Sequence, residues 1–179
     1  MKLLKKIILL YANKNNKNKI SYLKKKGAII GESTKLNCKV DSFGTEPYLI
    51  SVGEKCLIAS GVRFFTHDGG ISVLENLNYF EGHEMDKMAR IKIGNNVYLG
   101  TGAFVLPGVT IGDNCIIGAG AIVTKDIPDN SVAVGVPARR IKSIDEYYED
   151  ALKRNYLYCT HNMNGKEKEK YLKENVSAN

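Results

Sequence analysis

An all-β solenoid is the fold this sequence predicts, and three observations predict it. Residues 93–128 read "IGNNVY LGTGAF VLPGVT IGDNCI IGAGAI VTKDIP", six units of six residues in one register. The first position of every unit is aliphatic: Ile93, Leu99, Val105, Ile111, Ile117 and Val123. Glycine fills the second position in four of the six, where it supplies backbone conformations that other residues disfavour.

A period of six fits neither an α-helix nor a hairpin ladder. It fits short strands joined by tight turns, each strand burying one aliphatic side chain. Three units close one triangular coil, and residues one coil apart then stack: Ile93 on Ile111, Leu99 on Ile117, Val105 on Val123. The predicted fold is therefore a parallel β-helix built of hexapeptide repeats, with helices at its N- and C-terminal ends.

Upstream the register persists more weakly. "VGEKCL IASGVR FFTHDG" places Val52, Ile58 and Phe64 at the first position, and "IGESTK LNCKVD" places Ile30 and Leu36 there. The pattern then vanishes between Gly69 and Ile91. A long interruption inside a regular coil reads as a functional or partner-covering loop, here 69–90.

A solenoid exposes apolar rungs at its ends and needs caps. In "KLLKKIILLY", Leu3, Leu4, Ile7, Ile8 and Tyr11 form one helical stripe, with Lys2, Lys5 and Lys6 mostly opposite. Such a helix caps the first coil or lies on a membrane surface, and packing on protein is the preferred reading. At the other end "SIDE" makes a capping box of Ser143 and Glu146, which starts a helix from about Ile144 to Tyr158. The charged tail from Gly165 reads as a further, exposed helix. The expected organisation is a basic helical arm over 1–27, the coil over 28–142 and a helical extension over 143–179.

At 179 residues the chain is long enough for one domain with a real core. Its net charge of +7 is unevenly placed. The first 26 residues hold nine lysines and no acid, and the remainder is slightly acidic. The arm is either a solvated face or a surface for weak contact with a membrane. No nucleic-acid motif accompanies it. "IILLYA" is too short to span a bilayer, and no small-residue cleavage site follows it. Cys38, Cys56, Cys115 and Cys159 form no C-x-x-C pair, which argues against a zinc or redox motif. A cytoplasmic protein, peripheral at most to the inner membrane face, is expected.

Residues 28–142 resemble the hexapeptide-repeat acyltransferases. The stretch "IGNNVYLGTGAFVLPGVTIGDNCIIGAGAIVTKDIPDNSVAVGVPARRIK" is similar to the maltose and galactoside O-acetyltransferase branch. "FGTEPYLISVGEKCLIASGVRFFTHDGG" looks closer to acetyltransferases of capsule and O-antigen synthesis. The resemblance implies a left-handed β-helix, a homotrimer, acetyl-CoA as co-substrate without a metal, and a sugar or saccharide acceptor. Some other hexapeptide solenoids bind zinc through three histidines. Here that would need His67, His83 and His161 together, and His161 lies in the tail. Rival readings are an N-acetyltransferase on an amino sugar or nucleotide sugar, a drug-modifying acetyltransferase, and a non-enzymatic solenoid scaffold.

Transfer of an acetyl group to a hydroxyl needs a base, and histidine suits that task. In the resembled family a histidine that ends a repeat just before the loop serves, and His67 in "FFTHDGG" matches that place. Its partner is left open among Asp68, Glu84 and Asp86. Asp41 and Ser42 stand about where sugar O-acetyltransferases commonly carry an asparagine, so both are candidate acceptor contacts, as is His83. By resemblance Thr101, Ala119, Thr124 and Lys125 contact the co-substrate, Arg139 and Lys142 lie near its phosphates, and Tyr98 is a wall where relatives often have tryptophan. The N–H that follows Gly100 is the expected oxyanion donor. Cys115 occupies a turn position where small residues pack, so direct transfer without an acyl-enzyme is expected.

Overall fold

The computed structural model describes residues 2–176. Their contacts divide them into two compact units, one ending at Ile144 and one starting at Asp145.

The first unit opens with two helices, α1 (Lys2–Ala12) and α2 (Asn16–Lys25), followed by strands β1 (Ile29–Ile30) and β2 (Lys35–Leu36). Two 3-10 turns, Val40–Phe43 and Pro47–Leu49, come next, then β3 (Ile50–Val52), β4 (Leu57–Ile58) and β5 (Arg63–Phe64). A short helix α3 (Ile71–Asn76) lies in the interrupting loop. The regular repeats form β6 (Ile91–Ile93), β7 (Tyr98–Leu99), β8 (Phe104–Val105), β9 (Thr110–Ile111), β10 (Ile116–Ile117) and β11 (Ile122–Val123). An antiparallel pair, β12 (Ser131–Val134) and β13 (Arg139–Ser143), ends the unit.

The strands fall in rotation onto three parallel faces. One face runs β1-β3-β6-β9, the second β2-β4-β7-β10-β12-β13, the third β5-β8-β11. Ile93 pairs with Ile111, Leu99 with Ile117 and Val105 with Val123, the stacking that the repeat predicts. The aliphatic first positions all point inward, with Leu99, Val105, Ile111, Ile117 and Val123 wholly buried. A chain pairing only with its own preceding and following coils, on three faces in turn, is a solenoid.

The corners are stacked as strictly as the faces. Asn96, Asn114 and Asn130 sit above one another with φ of 54°, 53° and 55°. Their side-chain amides bond in a ladder, Asn96 Nδ2 to Asn114 Oδ1 at 2.9 Å and Asn114 Nδ2 to Asn130 Oδ1 at 3.0 Å. Asparagine tolerates this left-handed conformation better than most residues. At another corner a Cβ on Gly100 would stand 2.5 Å from the Ala119 nitrogen, so only glycine lets those two turns close up.

The open end of the first coil is closed by α2. The sequence reading preferred α1 for that task, and the structure corrects it. Leu3, Leu4, Ile7, Ile8 and Tyr11 are all exposed, whereas Ile20 and Leu23 of α2 are buried. Polar side chains do the rest of the work. Asn16 Oδ1 accepts from the Leu36 N–H at 2.7 Å, its Nδ2 donates to the Thr34 carbonyl at 2.8 Å, and Lys19 donates to the Leu36 carbonyl at 2.7 Å. They stand in for the coil that is missing and leave the edge of β2 satisfied.

In the second unit α4 (Ile144–Lys153, whose first residue belongs to the coil's unit) and α5 (Gly165–Asn175) are helical as expected. Helix α4 stops earlier than its pattern predicts. Asn155 takes φ of 54°, and the amides of Asn155 and Tyr156 turn back to the carbonyls of Leu152 and Ala151. This is a Schellman ending built on asparagine in place of glycine. Asn164 and Glu167 cap α5 reciprocally.

Ile117, wholly buried between the coil partners Leu99 and Ala133, tests the inward assignment. Ile117→Ala is expected to lower stability by about 2–5 kcal/mol in urea unfolding. Its outward neighbour Ile116→Ala is expected to cost less than half as much. Equal losses would contradict the register.

Candidate active site

The third face carries the candidate site at the end of its first strand. After Phe64 the chain makes one more coil-type bond, Phe65 N–H to the Val105 carbonyl at 2.9 Å, and then departs into the loop. The loop leaves and returns through a closed neck. His67 bridges Met88 in antiparallel fashion, the Asp68 N–H donates to the Lys87 carbonyl at 3.0 Å, and the Ala89 N–H donates to the Thr66 carbonyl at 2.9 Å. His67 is thus held at the root of the loop on hydrogen-bonded backbone, with its side chain about half exposed (52%).

The partner of His67 is Glu46. Its Oε2 lies 3.0 Å from His67 Nδ1 and accepts from the Thr66 hydroxyl at 2.7 Å. The other oxygen accepts from the Thr45 hydroxyl. Glu46 is the one buried charged residue among those described. It sits between the two 3-10 turns, in "FGTEPYL", and Phe43 fixes that segment by packing its ring at a tilt against Phe64, with centroids 4.8 Å apart. The hydrogen bonds from Thr45 and then Thr66 pull its carboxyl down from 4.5 to about 2. Burial opposes this, and His67 adds a hydrogen bond and its charge. A carboxylate ionised at all ordinary pH accepts only. The Nδ1 proton of His67 therefore points at Glu46, and the Nε2 lone pair is left for chemistry. Among the described residues Nε2 has no partner.

The other candidate residues are scattered. Asp68 turns away from His67, accepting from Lys87 at 2.7 Å and from the Gly70 N–H at 2.9 Å, which lowers its own carboxyl. Glu84, with Glu75 and Asp86, lines a hollow inside the loop, and His83 is exposed nearby. Ser42 is buried and hydrogen-bonded to Cys38, while Asp41 is exposed. Burial pushes the Cys38 thiol up to about 11 and raises Cys56 and Cys115 as well. None of the three is poised as a nucleophile. No group of three His, Cys, Asp or Glu residues suited to a metal ion occurs among the described residues.

The residues expected to meet the co-substrate are spread over more than one corner of the coil. Thr101 and Ala119 lie on successive coils between the second and third faces, joined by the Gly120 N–H to the Thr101 carbonyl at 2.9 Å. The amides of Gly100 and Gly102 are committed to the Ile117 and Ser60 carbonyls. The Thr101 N–H between them has no backbone acceptor among the described residues. Thr124 and Lys125 are exposed at the same corner as His67 but two strands further along, about 10 Å. Tyr98 is exposed on the second face between Leu57 and Ile116. Arg139 and Lys142 belong to β13, and Arg139 donates to the Ala138 carbonyl at 2.8 Å. One chain therefore holds the base and the Thr101 corner on opposite edges of the third face. Sequence reasoning missed Phe65, two residues before His67, which meets Phe104 edge-on at 5.4 Å.

Residues 90–125 match the family described as bacterial transferase hexapeptide (six repeats). The chain belongs to the hexapeptide-repeat acyltransferases. The likeness spans almost the whole length of Protein CapG of Staphylococcus aureus, which is 47% identical over 158 residues covering 88% of each chain. A solved maltose O-acetyltransferase from Clostridium difficile 630 is 30% identical with a TM-score of 0.55, over 79% of this chain and 84% of that one. A galactoside acetyltransferase solved in complex with coenzyme A is 28% identical with a TM-score of 0.55, over 82% of each chain.

Because Glu46 is depressed on folding, its contribution to stability is complete above its ordinary value near 4.5 and is lost as pH falls toward about 2. Glu46→Gln is expected to flatten that part of the acid dependence. The check is urea midpoints of both proteins at neutral pH and at a pH of about 3. Parallel curves would contradict the depression of Glu46 on folding.

Proposed function

We propose that the protein is an acetyl-CoA-dependent O-acetyltransferase that acetylates a sugar hydroxyl in a surface polysaccharide or its precursor. The Glu46–His67 pair carries the reading: a histidine whose Nδ1 is held by a buried carboxylate and whose Nε2 is free at the mouth of a loop. The likeness to a maltose O-acetyltransferase and to a galactoside acetyltransferase holding coenzyme A supports a sugar acceptor and that co-substrate. It also supports a left-handed coil.

In the proposed reaction His67 Nε2 takes the proton of the acceptor hydroxyl as that oxygen bonds to the thioester carbonyl carbon. The free Thr101 N–H donates to the oxyanion that forms. On collapse the carbon–sulfur bond breaks, and His67 gives its proton to the departing thiolate. The ester oxygen stays on the sugar, the enzyme ends as it began, and no cysteine is acylated. Glu46 stabilises the imidazolium between the two proton transfers. Thr124, Lys125, Arg139 and Lys142 meet the pantetheine and phosphate end, and Tyr98 walls it. Asp41 and His83 remain the proposed acceptor contacts.

The opposed positions of His67 and the Thr101 corner favour a site shared between protomers, with the Thr101 corner of one beside His67 of the next. A homotrimer working in the cytoplasm meets that need. The loop 69–90 then reaches the seam, and Phe65 with Phe104 offers a ring or acyl group an apolar rest.

Thiol release from acetyl-CoA over a panel of sugars, amino sugars and nucleotide sugars tests the proposal. His67→Ala is expected to lower acceptor-dependent release by about 10²–10⁴-fold. Glu46→Gln is expected to fall within the same ~10²–10⁴ range, because its amide can donate to Nδ1 and place the proton on Nε2. Release that survives His67→Ala would refute the base, and a response only to amino acceptors would make the enzyme an N-acetyltransferase.

A further inference from the structure

The helix that does not cap the coil remains unexplained. On α1 the residues Leu10, Leu3, Ile7, Tyr11, Leu4 and Ile8 follow one another around an arc of about 160°. All six are exposed, Leu3 by 72% and Leu10 by 66%. The helix is anchored by the opposite side, where Ala12 is buried and Leu9 packs against the core. Its broad apolar arc is therefore turned outward by the packing, not left outward by want of an inner contact.

Charge decides what suits that arc. Lys5, Lys6, Lys14, Lys17, Lys25 and Lys26 are exposed and form no ion pair among the described residues. The first acid in the chain is Glu32, and it is already paired with Lys24. A groove between α1 and α2 joins the two features, with Ile8, Tyr11 and Tyr22 in its wall and Lys25 and Lys26 at its rim. A second copy of α1 laid on the arc would bring lysine against lysine with no carboxylate between them. An acidic protein would satisfy the lysines but not so wide an aliphatic surface. A bilayer with anionic headgroups satisfies both: acyl chains take the arc, and headgroup phosphates take the lysines.

We infer that the α1–α2 hairpin is a membrane-surface anchor that lays α1 in the headgroup boundary of an anionic bilayer. The helix is too short to cross. Binding of this kind is reversible, weakened by salt, and shared between apolar insertion and charge. The binding itself does not depend on the acyl-transfer reading; only the rate control in its test does.

Flotation of the full chain with vesicles of phosphatidylcholine, with and without phosphatidylglycerol, tests it. Binding is expected only with phosphatidylglycerol present and is expected to fall as salt rises. Ile7→Asp, at a position 53% exposed, is expected to abolish flotation while leaving the fold and the rate on a soluble acceptor unchanged. Lys5→Gln combined with Lys6→Gln is expected to weaken it by roughly five-fold per lysine. No flotation with anionic vesicles would overturn the inference. So would an Ile7→Asp protein that floats normally but has a smaller mass by light scattering, since the arc would then be covered by another copy.

Discussion

Every coil of this molecule must come round directly above the coil before it, because its strands pair with those of the neighbouring coils. That constraint is severe. Whatever a turn inserts, the strands that follow must resume the same inward register, as Ile91 and Ile93 do after the loop. The asparagine ladder and the close approach at Gly100 show how the corners keep count. The chain departs from the eighteen-residue count at the paired 3-10 turns, at the loop 69–90, and again in the last coil, where Ile111 pairs with Ile127 and Asn114 with Asn130. Glu46 and His67 come from the first two departures, and they meet.

The meeting has a physical logic. Inside the regular coil a buried carboxylate would face only aliphatic side chains and would not stay charged. The first coil has 3-10 turns where a strand of the third face would be, so polar side chains can enter beneath the loop root. Thr45 and Thr66 supply the hydrogen bonds that keep Glu46 ionised while buried. The aromatic pair Phe43–Phe64 ties that irregular segment to the regular one. The candidate site is thus an interruption of the repeat that is itself held in place by the repeat.

What could be read in advance follows the same division. The hexapeptide pattern is periodic, so its strands, faces and coil register were open to inspection residue by residue. His67 was visible because it stands where the period stops. Glu46 was not, since it lies outside the period and reaches His67 only through turns whose length no pattern announces. Asp68 was attractive because it is adjacent, yet neighbouring side chains on extended backbone point to opposite sides, and Lys87 claims it. The cap was misread for a related reason. Apolar stripes are conspicuous in a sequence, whereas α2 closes the coil with two buried aliphatic residues and with side chains of Asn16 and Lys19, which look like surface residues until their partners are seen.

That closure bears on how such a chain can change length. A β-edge left open can be copied onto by another molecule, and a repeat protein could in principle grow at its end by adding repeats. Here the first edge is finished by amide and ammonium groups cut to fit one place, and the last by a strand that reverses direction. Both termini of the coil are therefore fixed points in the history of the gene. A duplication that adds a turn must fall between them, in the interior, where one more identical storey leaves the foundation and the roof untouched.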